Sequence, residues 1–228
     1  MPIRVYNSLT RTKEEFRPVR EGQVGMYVCG PTVYAPSHVG HAVGPVLFDC
    51  IKRYLTFRGF KVTWVLNVTD VEDKLIKRAA EEGTTVAALV GKYSADYFEH
   101  LSKLNVTGID HVPYATQHID DIVGLVQRLV ENGHAYAVDG DVYFDVPSFP
   151  GYGKLSGRRV EEMIAGARVE VDERKRHPAD FALWKAAKPG EPSWPSPWAY
   201  RRSPGCWSIR WRMGARREGR GCCWATCW

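Results

Sequence analysis

Two histidines three residues apart around a glycine, His38-Val39-Gly40-His41, follow closely on a cysteine that closes an apolar run, Met26-Tyr27-Val28-Cys29. Imidazoles at this spacing, placed where a helix begins, can donate hydrogen bonds to phosphate oxygens whose charge grows during phosphoryl or nucleotidyl transfer. Gly40 between them lets a phosphate or an adenine ring approach the backbone closely. Cys29 reads as a free thiol or a metal ligand. Ahead of residue 199 the chain holds one other cysteine, Cys50, and no export signal, so a disulfide framework is not expected. Cys50 falls inside a helical pattern and reads as packing. The plainer alternative for H-x-G-H is a helix cap with two surface imidazoles.

Such groups need strand ends and helix starts that meet. Residues 24–28 form a short apolar run that suits a buried strand. From about Pro45, Leu47, Ile51, Tyr54 and Leu55 recur on one face of a helix, with Pro45 in its first turn and Gly59 as its stop. Residues 61–68 are rich in β-branched side chains and read as a second strand. Thr69 and Glu72 are spaced as a capping box for a helix carrying Leu75, Ile76 and Ala79, with another helix over 84–104. The order β-α-β-α predicts an α/β fold with a parallel, doubly wound sheet, in which ligands bind at the carboxyl ends of strands. Cys29 and Asn67 end the two strands and are expected to face one crevice.

After Pro113 the pattern changes. A helix at about 117–132 precedes two alternating segments joined by Asp139-Gly140, a hairpin signal out of place in a parallel sheet. The expected organisation is a first half-sheet at 1–112, an inserted α+β module at 113–178 and a return to the first domain at 179–198. Residues 199–228 differ from everything before them. They contain seven Arg, four Trp and four Cys but no Leu, Val, Phe, Lys or Asp, and are expected to be an aberrant, disordered tail.

The formal net charge is +5, but the tail supplies +6 of it and the other 198 residues sum to −1. The body therefore gives no electrostatic indication of a polyanionic partner. No run approaches the apolar length of a membrane span, and the first residues lack the features of a signal peptide, so a cytoplasmic protein is expected.

The succession CGPTVY, HVGH, FD, NVTDVEDK, GARVEVDERKRHPADFALWK and KPGEPSWPSPW resembles the class I cysteinyl-tRNA synthetases from about residue 3 to 198. The resemblance implies an incomplete Rossmann-like sheet with an inserted connective module. It also implies a reaction: cysteine's carboxylate attacks the α-phosphate of ATP, and the cysteinyl group of the adenylate passes to tRNA-Cys. By resemblance His38 and His41 are the catalytic, ATP-binding histidines. Gly30, Pro31, Thr32, Gly40, Asn67, Val68 and Thr69 are the ATP and adenylate positions. Cys29 is one of four Zn²⁺ ligands, the zinc binding the substrate thiolate. ATP would come with Mg²⁺, L-cysteine, ATP and tRNA-Cys are the implied partners, and a monomer is expected.

Beyond Trp198 the chain departs from that family. Where relatives carry a stretch close to GxGRPGWHIECSAM, this sequence reads AYRRSPGCWSIRWRMG, with Arg210 and Trp211 where a Glu and the second zinc cysteine would stand. A truncated, inactive chain with an incomplete zinc site is the expectation, from a frameshift or a mispredicted gene. Two other readings stand beside it. One is a relative of the ligase that joins cysteine to an amino-sugar inositol, and the other is a non-catalytic nucleotide- or RNA-binding fragment.

Overall fold

A computed structural model of the chain describes residues 2–157, 160 and 173–198, together with the backbone of 225–227. The elements run β1 (Arg4–Asn7), β2 (Thr12–Glu15), β3 (Gln23–Val28), α1 (Val39–Phe57), β4 (Lys61–Leu66), α2 (Asp73–Glu81), α3 (Val86–Lys103), a 3-10 turn (Ala115–His118), α4 (Ile119–Glu131), β5 (Ala135–Val138), β6 (Asp141–Phe144), a second 3-10 turn (Val146–Ser148), β7 (Phe181–Ala186) and β8 (Ala225–Cys227). Two units divide them, 1–118 and 119–228.

In the first unit β3 and β4 are parallel, with Val24 opposite Val62, Met26 opposite Trp64 and Val28 opposite Leu66. Period-2 alternation puts all six on one face. Ala42, Val46 and Phe48 of α1 and Tyr97, Phe98 and Leu101 of α3 pack there, around a Trp64 and a Leu66 that are fully buried. A β-α-β unit covered in this way is the Rossmann-like α/β arrangement the sequence predicts. The outer edge of β4 is covered by an extended segment: Leu66 donates to the His111 carbonyl at 3.0 Å and Val68 to that of Pro113 at 2.9 Å. No strand pairs with the outer edge of β3 among the described residues.

Four local expectations differ from the structure. Helix α1 starts at Val39, so Pro45 sits inside it rather than in its first turn. Leu47, Ile51 and Tyr54 are exposed by 58%, 44% and 49%, while Leu55 is buried. The helix is apolar on both sides, and the described core takes the side carrying Ala42, Val46 and Phe48. Cys50 belongs to the exposed side. Helix α2 starts at Asp73 with Glu72 as N-cap and no side-chain cap bond, so the Thr69/Glu72 capping box does not form. Residues ahead of it are held otherwise: the Thr69 amide donates to the Pro31 carbonyl, and Asp70 accepts from Thr116.

The second unit has its own core of Ile119, Val126, Ala135, Val142 and Trp184. Asp139 (φ 51°) and Gly140 (φ 90°) make the hairpin turn between β5 and β6, both with the positive φ a two-residue turn of this kind needs. The second unit begins at Ile119, and β7 lies antiparallel to β6. Trp184 sinks into the hairpin core and Phe181 stacks on Phe144 with ring centroids 5.2 Å apart, which draws β7 to this sheet. Asp180, just ahead of β7, is buried and accepts from the Tyr136 hydroxyl (2.8 Å), the Val146 amide (2.9 Å) and the His177 amide (3.0 Å). Of the tail, the described part is the backbone of β8, which pairs with β7. The rest of 199–228 lies outside the described residues. Among the described residues no helix is long and apolar enough to cross a membrane.

Candidate functional site

The parallel register brings the carboxyl ends of β3 and β4 to one level, and the residues just beyond them interlock. The Gly30 amide donates to Asn67 Oδ1 at 2.9 Å. A Cβ built on Gly30 would lie 1.6 Å from the Asn67 carbonyl oxygen, so only glycine allows this approach. Thr69 N donates to Pro31 O at 3.1 Å, and Thr32 bridges to Thr69 in parallel. Gly30, Pro31, Thr32, Asn67 and Thr69 thus form one cluster. Val68 lies between them in sequence, but its side chain is fully buried against Val33, Leu89 and Tyr93, and its amide is bonded to Pro113.

At the start of α1 the two histidines cap the helix reciprocally. Gly40 N donates to His38 Nδ1 at 3.1 Å, and His38 N donates to His41 Nδ1 at 3.3 Å. The rings stack with centroids 3.7 Å apart. A backbone N–H can donate only to an unprotonated ring nitrogen, so each neutral ring carries its proton on Nε2. Both imidazoles therefore offer an Nε2–H donor. Burial first, and then the neighbouring His38, lower the pKa of His41 from its ordinary 6.5, which keeps that ring neutral near pH 7. A Cβ built on Gly40 would come within 2.9 Å of His38 Cε1. In this structure the glycine makes room for the imidazole.

The loop between the two clusters is pinned at its middle and end. Val33 is buried in the core beneath α3. Ser37 N donates to Asp96 Oδ2 on α3 at 3.0 Å, one residue ahead of the capping histidine. Asp96 is held below its ordinary value by the Ser37 amide and then the Ser37 hydroxyl. Sequence reasoning missed Asp96, since nothing local marks a carboxylate whose partner is 59 residues away. It also missed that Asp70 holds the 3-10 turn at Thr116 rather than α2.

Cys29 is exposed, and its thiol contacts the Gly30 carbonyl at 3.7 Å. Among the described residues no three His, Cys, Asp or Glu side chains come together to hold a metal. A zinc ion takes four such ligands, so the described donor set does not fit one. Cys206, Cys222, Cys223 and Cys227 contribute no described side chains. A depression at the C-terminal half of α1, lined by Asp49, Lys52, Arg53 and Gly108, is a competing site by shape. Its charges are engaged internally: Asp49 accepts from Gly108 N and Arg53, and Lys52 donates to Asp110 and the Gly108 carbonyl.

Comparison with known proteins gives a consistent relationship. The family described as "tRNA synthetases class I (C) catalytic domain" matches residues 15–213, past the point where the resemblance read from the sequence ends. A cysteine–tRNA ligase of Trichlorobacter lovleyi is 54% identical over 209 residues, 92% of this chain and 42% of that protein. The corresponding enzyme of Alkalilimnicola ehrlichii is 56% identical over 91% of this chain and 45% of its own length. That of Syntrophobacter fumaroxidans is 51% identical over 96% and 44%. The chain thus spans less than half the length of these relatives. Among solved structures, Mycobacterium tuberculosis methionyl-tRNA synthetase in complex with methionyl-adenylate is 24% identical, with a TM-score of 0.47 over 54% of this chain and 25% of that one.

Proposed function

The chain belongs to the tRNA synthetases class I (C) catalytic-domain family, and we propose that it supplies the first half of the nucleotide-binding sheet of an ATP-dependent cysteine–tRNA ligase. The observation that carries this reading is the pair of Nε2–H donors fixed at the start of α1 by the reciprocal caps of His38 and His41. In the proposed reaction a carboxylate oxygen of cysteine attacks the α-phosphorus of ATP. The bond to pyrophosphate breaks, and charge that builds on the phosphate oxygens is met by the two imidazoles. Cysteinyl adenylate is left, and its acyl group then passes to the 3′ end of tRNA-Cys. Mg²⁺ accompanying ATP would be held mainly by the phosphates. Gly30, Pro31, Thr32, Asn67 and Thr69 form the strand-end wall against which the adenylate is placed, and Val68 supports that wall from the core.

We further propose that the chain by itself does not turn over. Among the described residues Cys29 joins no cluster of three metal-ligating side chains, and Trp211 stands where the resemblance calls for the second zinc cysteine. The test is cysteine-dependent exchange of pyrophosphate into ATP, with the chain as given beside a chimaera joining residues 1–198 to the remainder of the T. lovleyi relative. No exchange is expected from the chain alone. The chimaera should be active, and His38→Ala or His41→Ala should lower its rate by about 10²-fold or more. Clear exchange by the 228-residue chain would overturn the proposed inactivity. A chimaera indifferent to both histidine substitutions would overturn the site.

A further inference from the structure

Helix α2 carries three cations, and one of them is left over. Lys77 and Arg78 pair with Glu81 and Glu82 one turn further on. Lys74 has no carboxylate partner among the described residues. It stands in the first turn of the helix, where the dipole favours an anion and works against a cation. Nothing within α2 accounts for a positive charge there. The ammonium is held instead over the ring of Tyr34, with Nζ 5.7 Å from the ring centroid. Lys74 is exposed and Tyr34 is 37% exposed, so both reach solvent.

The pair borders the strand-end cluster. The Tyr34 amide donates to the Thr32 carbonyl at 3.1 Å, and Thr32 bridges to Thr69. Lys74 follows Thr69 by five residues, with Val71 buried between them. The loop that presents Tyr34 is held on both sides, by Val33 in the core and by the bond from Ser37 to Asp96. A large aromatic on a fixed loop, with an uncommitted ammonium against it, is a ready surface for a ligand that has both a ring and a negative charge.

We infer that Lys74 and Tyr34 receive the single-stranded 3′ end of the acceptor RNA, Lys74 meeting a backbone phosphate and Tyr34 stacking on a base. Stacking on an aromatic ring combined with neutralisation of the adjoining phosphate is how proteins hold unpaired nucleotides. In the reaction proposed above the α-phosphate of ATP is met by the two imidazoles at the start of α1. The cation on the α2 side of the cluster is thus left for the second nucleotide substrate, whose terminal ribose must come up to the adenylate. Other cations of the first unit do not offer this arrangement: Lys52 and Arg53 are tied to Asp110 and Asp49, and Lys103 to Glu99. The inference rests on the ligase reading, but its readout is binding without turnover. A silent exchange assay would therefore strike that reading and leave this result in place.

The experiment follows the tyrosine ring resonances of the 228-residue chain by NMR, with Tyr34 assigned through Tyr34→Phe, as an RNA heptamer ending in CCA is added. The Tyr34 resonances are expected to move saturably. Lys74→Ala should weaken the affinity read at Tyr34 by about tenfold and reduce the slope of log K against log salt by about 0.7, the loss of one single-strand phosphate contact. Lys74→Arg should stay within about twofold of the unaltered chain, and so should Lys77→Ala, which removes a neighbouring cation. The upfield shift of the 3′-terminal adenine protons should be lost in Tyr34→Leu and kept in Tyr34→Phe. Tyr34 resonances that stay still up to millimolar RNA overturn the proposal, as does an affinity that Lys74→Ala leaves unchanged. ATP that moves Tyr34 at lower concentration than the heptamer would assign the pair to the first nucleotide and also overturn it.

Discussion

The Gly30 amide and the Asn67 side chain are joined at 2.9 Å, and the volume where a Gly30 side chain would begin is filled by the Asn67 carbonyl. Two strand ends are thereby locked at one level. Gly30→Ala is expected to destabilise the first unit by about 3 kcal/mol or more, since backbone must move to admit the methyl group. Asn67→Ala removes only the hydrogen bond and is expected to cost about 1 kcal/mol. Urea unfolding followed by circular dichroism measures both, and equal costs would refute the steric account.

Asp96 is expected to set the position of the capping histidine without touching a ligand. Asp96→Ala should raise hydrogen exchange at the Ser37 amide by roughly tenfold and loosen the His38–His41 cap, while leaving α3 helical. The carboxyl is held below its ordinary 3.8. The Ser37 bond should therefore be fully present above that value and lost as pH falls through the lower, folded one. Exchange that is independent of both the substitution and pH would argue against a positioning role.

For His41 the sign runs the other way from that of a histidine gaining a charged partner. Its folded pKa lies below 6.5 because burial, and then His38, disfavour the cation. The folded state therefore binds its proton less readily than the unfolded state. Stability should rise with pH from the folded value up to 6.5 and be constant above it. Protonation also puts a hydrogen on Nδ1 and breaks the bond from His38 N. A proton-NMR titration of the ring should show a midpoint below 6.5, and His38→Ala should move it up only part of the way, because burial remains.

In the second unit, Asp180→Ala should cost about 3 kcal/mol, since three donors, two of them buried, would be left without their acceptor. Tyr136, whose hydroxyl is one of them, is pushed up to about 12, first by burial. Its spectroscopic titration should stay above the ordinary 10 in the variant as long as β5 remains folded. A fall to 10 with the fold intact would show that the carboxylate rather than burial sets it.

What the sequence disclosed depends on the range of the interaction. β3, β4, the Asp139-Gly140 turn and the stop at Gly59 follow from patterns a few residues wide, and each stands in the structure. The H-x-G-H cap was legible for the same reason. The apolar face of α1 was misassigned because periodicity cannot rank two apolar sides of one helix. The start of α2 was misplaced because Thr69 is drawn away by Pro31, 38 positions earlier, a pairing no local spacing displays. Asp96 and Thr116 were invisible on the same ground: each acts on a residue 46 or 59 positions away.

That difference in range has a kinetic side. The bonds that shape the histidine pair span two and three residues, so they can form as fast as the first helical turn closes, before Asp96 arrives to hold Ser37. The Gly30–Asn67 lock spans 37 residues and must wait for β4 to find β3. During synthesis on the ribosome the stacked imidazoles would thus be in place while the strand-end cluster beside them is still being made, and mutations that slow the docking of β4 would leave a formed histidine pair standing beside unpaired strand ends.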